Sequence, residues 1–264
     1  MSAPIIDLHE WFLTPAGRYL LDWERSQLDA AVADIFGYHA LQLGVPELDG
    51  LRANRIAHQW LGMDHLPPEG LPPGRPLTLL TDFTALPFPS SSLDLVVLPH
   101  TLEFSPDPHT TLREVERVLV PEGRLVVCGL NPASLWGLRQ RRGRLGQRLG
   151  FGSLYLPEGG EFIGYWRLRD WMRLLSLEVE VGHFGCYRPG LRSEKWLQRF
   201  AWMDCLGPRW WPILGAAYFL VATKRVRGMR IIEPGWRAAP ARGRRPVGVT
   251  NRLPRPDGRG RQAS

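Results

Sequence analysis

The stretch from Leu86 to Val127, LPFPSSSLDLVVLPHTLEFSPDPHTTLREVERVLVPEGRLVV, constrains the fold of this chain more than any other. Pro87 and Pro89 close a loop, and Leu93 to Leu98 is a short, almost unbroken apolar run of the kind a strand covered on both faces needs. A turn carrying His100 and Glu103 follows. Asp107 and Pro108 are then suited to cap and open a helix whose apolar face is Leu112, Val115, Val118 and Leu119. A Pro-Glu-Gly turn leads into a second apolar strand, Arg124 to Cys128. Strand, helix and strand in this order make a β-α-β unit of a parallel, doubly wound sheet. Ligands of such sheets gather at the carboxyl ends of the strands, so His100 and Glu103 after one strand and Gly129 to Asn131 after the other point to one cleft.

The flanks fit the same architecture. Asp7 to Phe36 reads as helical and is split at Thr14-Pro15, a good cap and first residue; Tyr19, Leu20, Trp23, Leu28, Val32 and Ile35 then recur at near-helical spacing. Strands are expected at Ala40 to Val45, Arg55 to Met63 and Leu77 to Thr81. The prolines of DHLPPEGLPPGRP exclude a regular helix between the last two, and any helix after the first strand must be short. Further on, RQRRGRLGQR (Arg139 to Arg148) reads as a basic loop, Trp166 to Leu175 as a helix, Glu178 to Gly182 as a strand and Ser193 to Met203 as a helix. Trp210 to Ala222 is apolar but contains Pro212 and is too short to cross a bilayer, which needs roughly 20 residues; it reads as a loop feeding a last strand, Tyr218 to Lys224.

Five elements of the central segment resemble, in order, the class I S-adenosylmethionine-dependent methyltransferase family, in its type 11 branch: the L-P-F loop, the D-x-V-V strand, the turn containing L-E, the D-P helix and the P-x-G-R-L turn. The resemblance is strong over Leu77 to Trp136, extends to Trp11 through Lys224, and implies a Rossmann-like α/β fold. It divides the chain into an amino-terminal helical extension (1–38), a methyltransferase-like domain (39–233, with an insertion at about 136–212) and a basic tail (234–264). It also implies S-adenosylmethionine as cofactor and, for the chain, methyl transfer to a small, partly apolar acceptor.

The family's donor loop is an acid, a spacer and three alternating glycines, which let backbone N–H groups approach the cofactor unobstructed. Here the matching positions are Gln42, Gly44, Pro46 and Leu48. Pro46 lacks an N–H, Leu48 adds bulk and Gln42 lacks the acid's charge; a modified binding loop and a plain β-turn at Gly44 both fit. Pro46 and Leu48 side chains lying in the cofactor's space would exclude the enzyme reading. Carried over residue by residue, Asp64 stands where a carboxylate accepts from the ribose hydroxyls. Asp82 stands where one accepts from the adenine amino group, with Phe83 beside the ring and Pro99 at the fourth strand's end. The competing reading makes Asp64 a turn cap and Asp82 an Asx turn closing its strand.

His100 is the catalytic candidate, as a base or orienting group near neutral pH, against a turn histidine bonded to backbone. Many methyl transfers need no base, because positioning supplies most of the rate. Glu103 reads as structural. Asn131 and Trp136 would roof an acceptor pocket lined by Tyr165 and Trp166, with Tyr155 and Phe162 nearby; aromatics at helical spacing more often serve the core. Six of the eleven tryptophans lie between Trp166 and Trp211, which favours an apolar or aromatic acceptor.

The net charge of +7 comes from the tail, where residues 234–264 hold eight arginines and one acid; residues 1–233 are electrically balanced. A Pro-, Gly- and Arg-rich tail lacks the apolar content for a core and is expected to be disordered. Nucleic acid is reachable only through those arginines, by phosphate contacts. Three scattered cysteines without metal-ligand spacing suit a reduced, cytoplasmic protein, and the amino terminus lacks a secretory pattern. Two alternatives to the enzyme remain at this level. One is an inactive binding module that keeps the fold and has lost the donor site; the other is a nucleic-acid-associated protein acting through its tail.

Overall fold

The computed structural model describes residues 8–66, 76–148, 154–157, 160–191 and 193–226. Seven strands form one sheet: β1 (His39–Leu43), β2 (His58–Met63), β3 (Leu79–Leu80), β4 (Leu93–Pro99), β5 (Leu119–Leu130), β6 (Leu177–Gly185) and β7 (Ala217–Lys224). Their order is β3-β2-β1-β4-β5-β7-β6. The first five strands are parallel, whereas β7 runs antiparallel between β5 and β6. The carboxyl ends of β1 to β5 therefore share one edge, with a reversal of strand order between β1 and β4, where ligands of doubly wound sheets bind.

Eight helices flank the sheet among the described residues: α1 (Leu8–Phe12), α2 (Pro15–Val32), α3 (Thr101–Phe104), α4 (Pro108–Val118), α5 (Leu135–Arg148), α6 (Tyr165–Leu174), α7 (Glu194–Arg199) and α8 (Trp202–Trp210). Alternation along the strands splits the core into two layers. Leu95 and Val97 of β4 pack on the face covered by α1, α2 and Trp136 of α5, while Val96 and Leu98 pack on the face covered by α4 and α6. The capping residues act as their types require. Thr14 Oγ1 accepts from Gly17 N at 3.1 Å, and Asp107 Oδ1 accepts from Thr110 N at 3.0 Å.

Between β1 and β2 there is no helix; residues 44–57 are turns that bury Leu48, Leu51 and Ile56 beneath α2. Asn54 holds this segment to the end of α2, donating from Nδ2 to the carbonyls of Val32 (2.6 Å) and Ile35 (3.0 Å). It thus satisfies helix-end acceptors that would otherwise be orphaned.

Four expectations change. Arg139 to Arg148 is not a loop but most of α5, because arginine, glutamine and leucine are good helix formers and Ser134 Oγ caps the first turn from Gly137 N at 3.1 Å. The Pro-Glu-Gly turn lies inside β5 as a bulge, with Glu122 at φ +64° and a register shift against β4. The helix expected over Ser193 to Met203 is two helices, α7 and α8, and β3 shrinks to two residues. The basic tail, with its expected disorder and its nucleic-acid reading, lies outside the described residues, as does most of the proline-rich segment before β3.

Candidate functional site

Strand register brings the donor-loop candidates to one level. Leu43 lies beside Gly62 and Met63 beside Leu80, so Gly44, Asp64 and Asp82 follow at the carboxyl ends of three neighbouring strands. Gly44 has φ +76°, a region that suits glycine, and its N–H donates to Gly62 O at 2.8 Å. A Cβ there would stand 3.3 Å from Thr101 Oγ1 and 3.9 Å from Pro99 O, so the β1 turn lies close against the end of β4. Thr101 Oγ1 closes this junction by donating to Leu43 O at 2.5 Å.

Gln42 is buried and faces its own loop. Its Nε2 donates to the carbonyls of Val45 (3.0 Å) and Leu48 (2.6 Å), and its Oε1 accepts from Gly50 N (2.9 Å). It braces the turn, a role that charge-neutral amide chemistry allows and a carboxylate, with no N–H to donate, does not. Leu48 is fully buried in the core layer under α2, and Pro46 is half-buried. Glu47 of the same loop is tied to α1 by an ion pair with His9, and its carbonyl accepts from Arg25 of α2 at 2.8 Å. The amino-terminal helices thus hold the loop from above.

Asp64 is exposed directly after β2 and pairs with the adjacent His65 at 2.6 Å. Asp82 is also exposed. Its Oδ1 accepts from the backbone N–H (2.8 Å) and hydroxyl (2.7 Å) of Thr84, the Asx-turn geometry, and the backbone bond first, then the hydroxyl, hold its carboxyl below the usual range. Phe83 is buried in the α4 layer, and Pro99 is buried at the end of β4.

His100 is a different matter. It adopts φ +54°, is fully buried and lies between two carboxylates. Nδ1 is hydrogen-bonded to Glu103 Oε2 at 2.9 Å, and Nε2 is 2.9 Å from Glu24 Oε1 of α2. The second contact is an ion pair poorly aligned for a hydrogen bond, which leaves both Glu24 oxygens without a donor. Glu103 Oε1 accepts from Leu130 N at the end of β5. Burial resists charge on the ring, but Glu24 and then Glu103 outweigh it and push the imidazole up to about 10; burial pushes the Glu103 carboxyl up as well. Both ring nitrogens face carboxylates inside the protein, so this geometry makes His100 a buried cation joining α2, β4 and β5 rather than a base open to an acceptor. Glu24 was not singled out from the sequence, although the signal was there: it sits four residues from Leu20 and from Leu28, a charge on the apolar stripe.

The acceptor-pocket candidates do not converge. Asn131 is buried and donates to the carbonyls of Ile213 (2.8 Å) and Gly215 (2.9 Å), which makes it a strand-end tie. Trp136 is buried on the α2 face, edge-on to Trp11 and Tyr155, with Nε1 donating to Arg188 O at 2.8 Å. Tyr165 packs on the opposite face against Phe184 and Tyr218, and Trp166 is 60% exposed beside it. The sheet separates Trp136 from Tyr165, so the four do not line one pocket; aromatic periodicity here served the core on both faces. A cleft of about 590 Å³ opens instead between α2 and α7, bordered by Arg18, Tyr19, Trp23, Arg188, Leu197 and Gln198. Among the described residues no His, Cys, Asp or Glu cluster is placed to hold a metal ion, and no helix is long and apolar enough to cross a membrane.

A methyltransferase-domain family model matches residues 64–127. The Escherichia coli (strain K12) protein YafS, itself uncharacterized, is 31% identical over 170 residues, 64% of this chain and 65% of that protein. Malonyl-[acyl-carrier protein] O-methyltransferase of Halorhodospira halophila is 38% identical over 65 residues, 25% of this chain and 22% of the enzyme. The chain therefore spans less than two thirds of the length of these curated relatives. Among solved structures, a S-adenosylmethionine-dependent methyltransferase of Thermotoga maritima superposes with a TM-score of 0.56 at 16% identity, covering 82% of this chain and 94% of that one. One from Mesorhizobium loti gives 0.51 at 16%, covering 77% and 99%. The fold is the Rossmann-like fold of class I S-adenosylmethionine-dependent methyltransferases. The family match lies on the stretch that carries the sequence resemblance.

Proposed function

We propose that the chain is a S-adenosylmethionine-dependent methyltransferase acting on a small, partly apolar acceptor. The observation that carries this reading is the sheet itself: the register sets Gly44, Asp64 and Asp82 on the carboxyl edge of three neighbouring strands, with Gly44 bordering the reversal of strand order between β1 and β4. The donor set suits the group. A glycine turn with positive φ admits close backbone approach, and two exposed carboxylates on successive strand ends offer acceptors for hydroxyl and amino groups. The bulk of Leu48, which would have argued against binding, is taken up by the core under α2.

In this reading Gly44 admits the amino-acid end, Asp64 accepts from the ribose hydroxyls and Asp82 accepts from the adenine amino group through the oxygen not held by Thr84. When bound, S-adenosylmethionine supplies a methyl group already activated on a sulfonium. What the protein adds is position: the Thr101–Leu43 bond and the Gln42 brace fix the two loops that face each other across the site. His100 supports the β4 turn from below and takes no proton from the acceptor. Tyr19 and Trp23, at the mouth of the cleft beside α2, offer aromatic surface of the kind a partly apolar acceptor needs.

Titrating the purified protein with S-adenosylmethionine in a calorimeter tests the reading. Binding with measurable heat and a rise in melting temperature is expected; neither effect at millimolar ligand would refute it.

A further inference from the structure

The Trp-rich helices after β6 are turned the wrong way round for a core element. In α8, Trp202, Leu206 and Trp210 form one stripe at four-residue spacing, and they are 51%, 42% and 70% exposed. The inward side of the same helix is carried by Gly207 and Asp204, with Met203 half-buried beside them. Gly207 is its buried residue, lying on the Tyr187 ring so closely that a Cβ would come within 2.3 Å. Asp204 anchors the helix, accepting from Tyr19 Oη, from Arg188 Nε at 2.7 Å and from Tyr187 N at 3.2 Å. An amphipathic helix normally buries its apolar stripe. Here the polar anchors fix the stripe outward, so fold stability does not account for it. Ile213 of the 3-10 turn Pro212–Leu214, which packs beside α8, extends the patch at 52% exposure, and Trp196 of the preceding α7 is 53% exposed.

The rim decides the occupant. Lys195, Arg199 and Arg209 are exposed around the patch, and Arg199 lies over the Trp196 ring at 5.7 Å. Of the acids on α7 and α8, Asp204 is already paired with Arg188, which leaves Glu194 at the exposed edge. Indole rings prefer the boundary between headgroups and acyl chains, and a cationic rim complements anionic headgroups. We propose that α7, α8 and the 3-10 turn form an interfacial seat with which the protein docks on an anionic phospholipid surface. The seat lies on the membrane and does not span it. It stands whether or not the chain transfers methyl groups.

Co-sedimentation of the full chain with phosphatidylcholine vesicles, with and without phosphatidylglycerol, tests this at physiological salt. The wild type should sediment with the anionic vesicles, and its tryptophan emission should shift to the blue. Because arginines beyond residue 226 also attract anionic lipid, the tail is kept unchanged in every variant. The double variant Trp202→Ser/Trp210→Ser should lose binding by about tenfold or more. Arg199→Glu and Arg209→Glu should each weaken it by about fivefold or more on anionic vesicles. Trp166→Ser, exposed on the opposite face of the sheet, should change nothing. Unaltered circular dichroism confirms that the variants fold. Equal sedimentation of the wild type and the double variant would overturn the proposal. So would a wild-type dimer that ignores lipid and dissociates in the double variant, since the stripe would then join two copies of the chain.

Discussion

Removing the Glu24 carboxylate probes the buried triad most directly. Glu24 is the main contributor raising the imidazole of His100, which reaches about 10, against 6.5 for an unperturbed ring. A histidine raised in the folded state contributes stability that is complete below its unfolded value and is lost as pH climbs through the folded one. The window thus opens near 6.5 and closes near 10. At about 1.4 kcal/mol per pH unit, and less near the lower limit where the unfolded ring is half protonated, the loss between pH 6.5 and 8.5 is about 2 kcal/mol. Glu103, pushed up by burial, acts with the same sign, its loss beginning at the ordinary carboxylate range and adding to that of the histidine. Cys128 and Tyr218, also titratable and beside the triad, are kept neutral in the folded protein by burial; their linkage begins only where the unfolded thiol or phenol ionises, near 9 and 10, above the range from pH 6.5 to 8.5. In Glu24→Gln the remaining Glu103 still holds the ring, so the cost at pH 6.5 should be about 1–3 kcal/mol rather than the 3–5 of an abandoned buried charge. The advantage of wild type over variant should then shrink as pH rises to 8.5. Urea unfolding at several pH values measures the free energies, and nitrogen-15 shifts of the imidazole read its protonation. A wild-type His100 that is neutral at pH 7.5, or a stability gap constant across the window, would refute the argument.

Three further variants separate structural from ligand-facing roles. Gln42→Ala removes donors to Val45 O and Leu48 O and leaves the buried Gly50 N–H unpaired, so a loss of about 2–3 kcal/mol is expected, read as a melting temperature lower by roughly 5–10 °C. An unchanged melting temperature with weakened cofactor binding would make Gln42 a ligand contact instead. Asp82→Ala removes an exposed carboxylate and should weaken S-adenosylmethionine by about tenfold in calorimetry, with little change in stability; equal affinity would remove Asp82 from the site. Gly207→Ala forces a methyl group into the Tyr187 ring and should cost about 1–3 kcal/mol in thermal or urea unfolding. No loss would mean that α8 does not rest on Tyr187 and that its tryptophan stripe is not fixed outward.

What the sequence disclosed and what it hid follow one physical division. Period and caps are local, and they placed β4, α4 and the apolar part of β5 within a few residues, because Leu93 to Leu98, Asp107-Pro108 and Arg124 to Cys128 each need only their neighbours to be read. Side-chain direction is not local. Trp136 and Tyr165 share a composition and a stretch of chain, yet the sheet passes between them, and only tertiary packing shows it. His100 at a strand end had the position of a catalytic group, but its surroundings come from α2, far earlier in the chain. One misplaced charge, Glu24 on an apolar stripe, was the available warning that the histidine's partners were inside. The tryptophans of α8 show the same division from the other side. Their four-residue spacing looks like a core stripe until Gly207 and Asp204 are seen holding the opposite face to the protein. A hydrophobic period states that a helix has an apolar face; only what its other face binds tells whether that apolar face is covered by the protein or presented outside it.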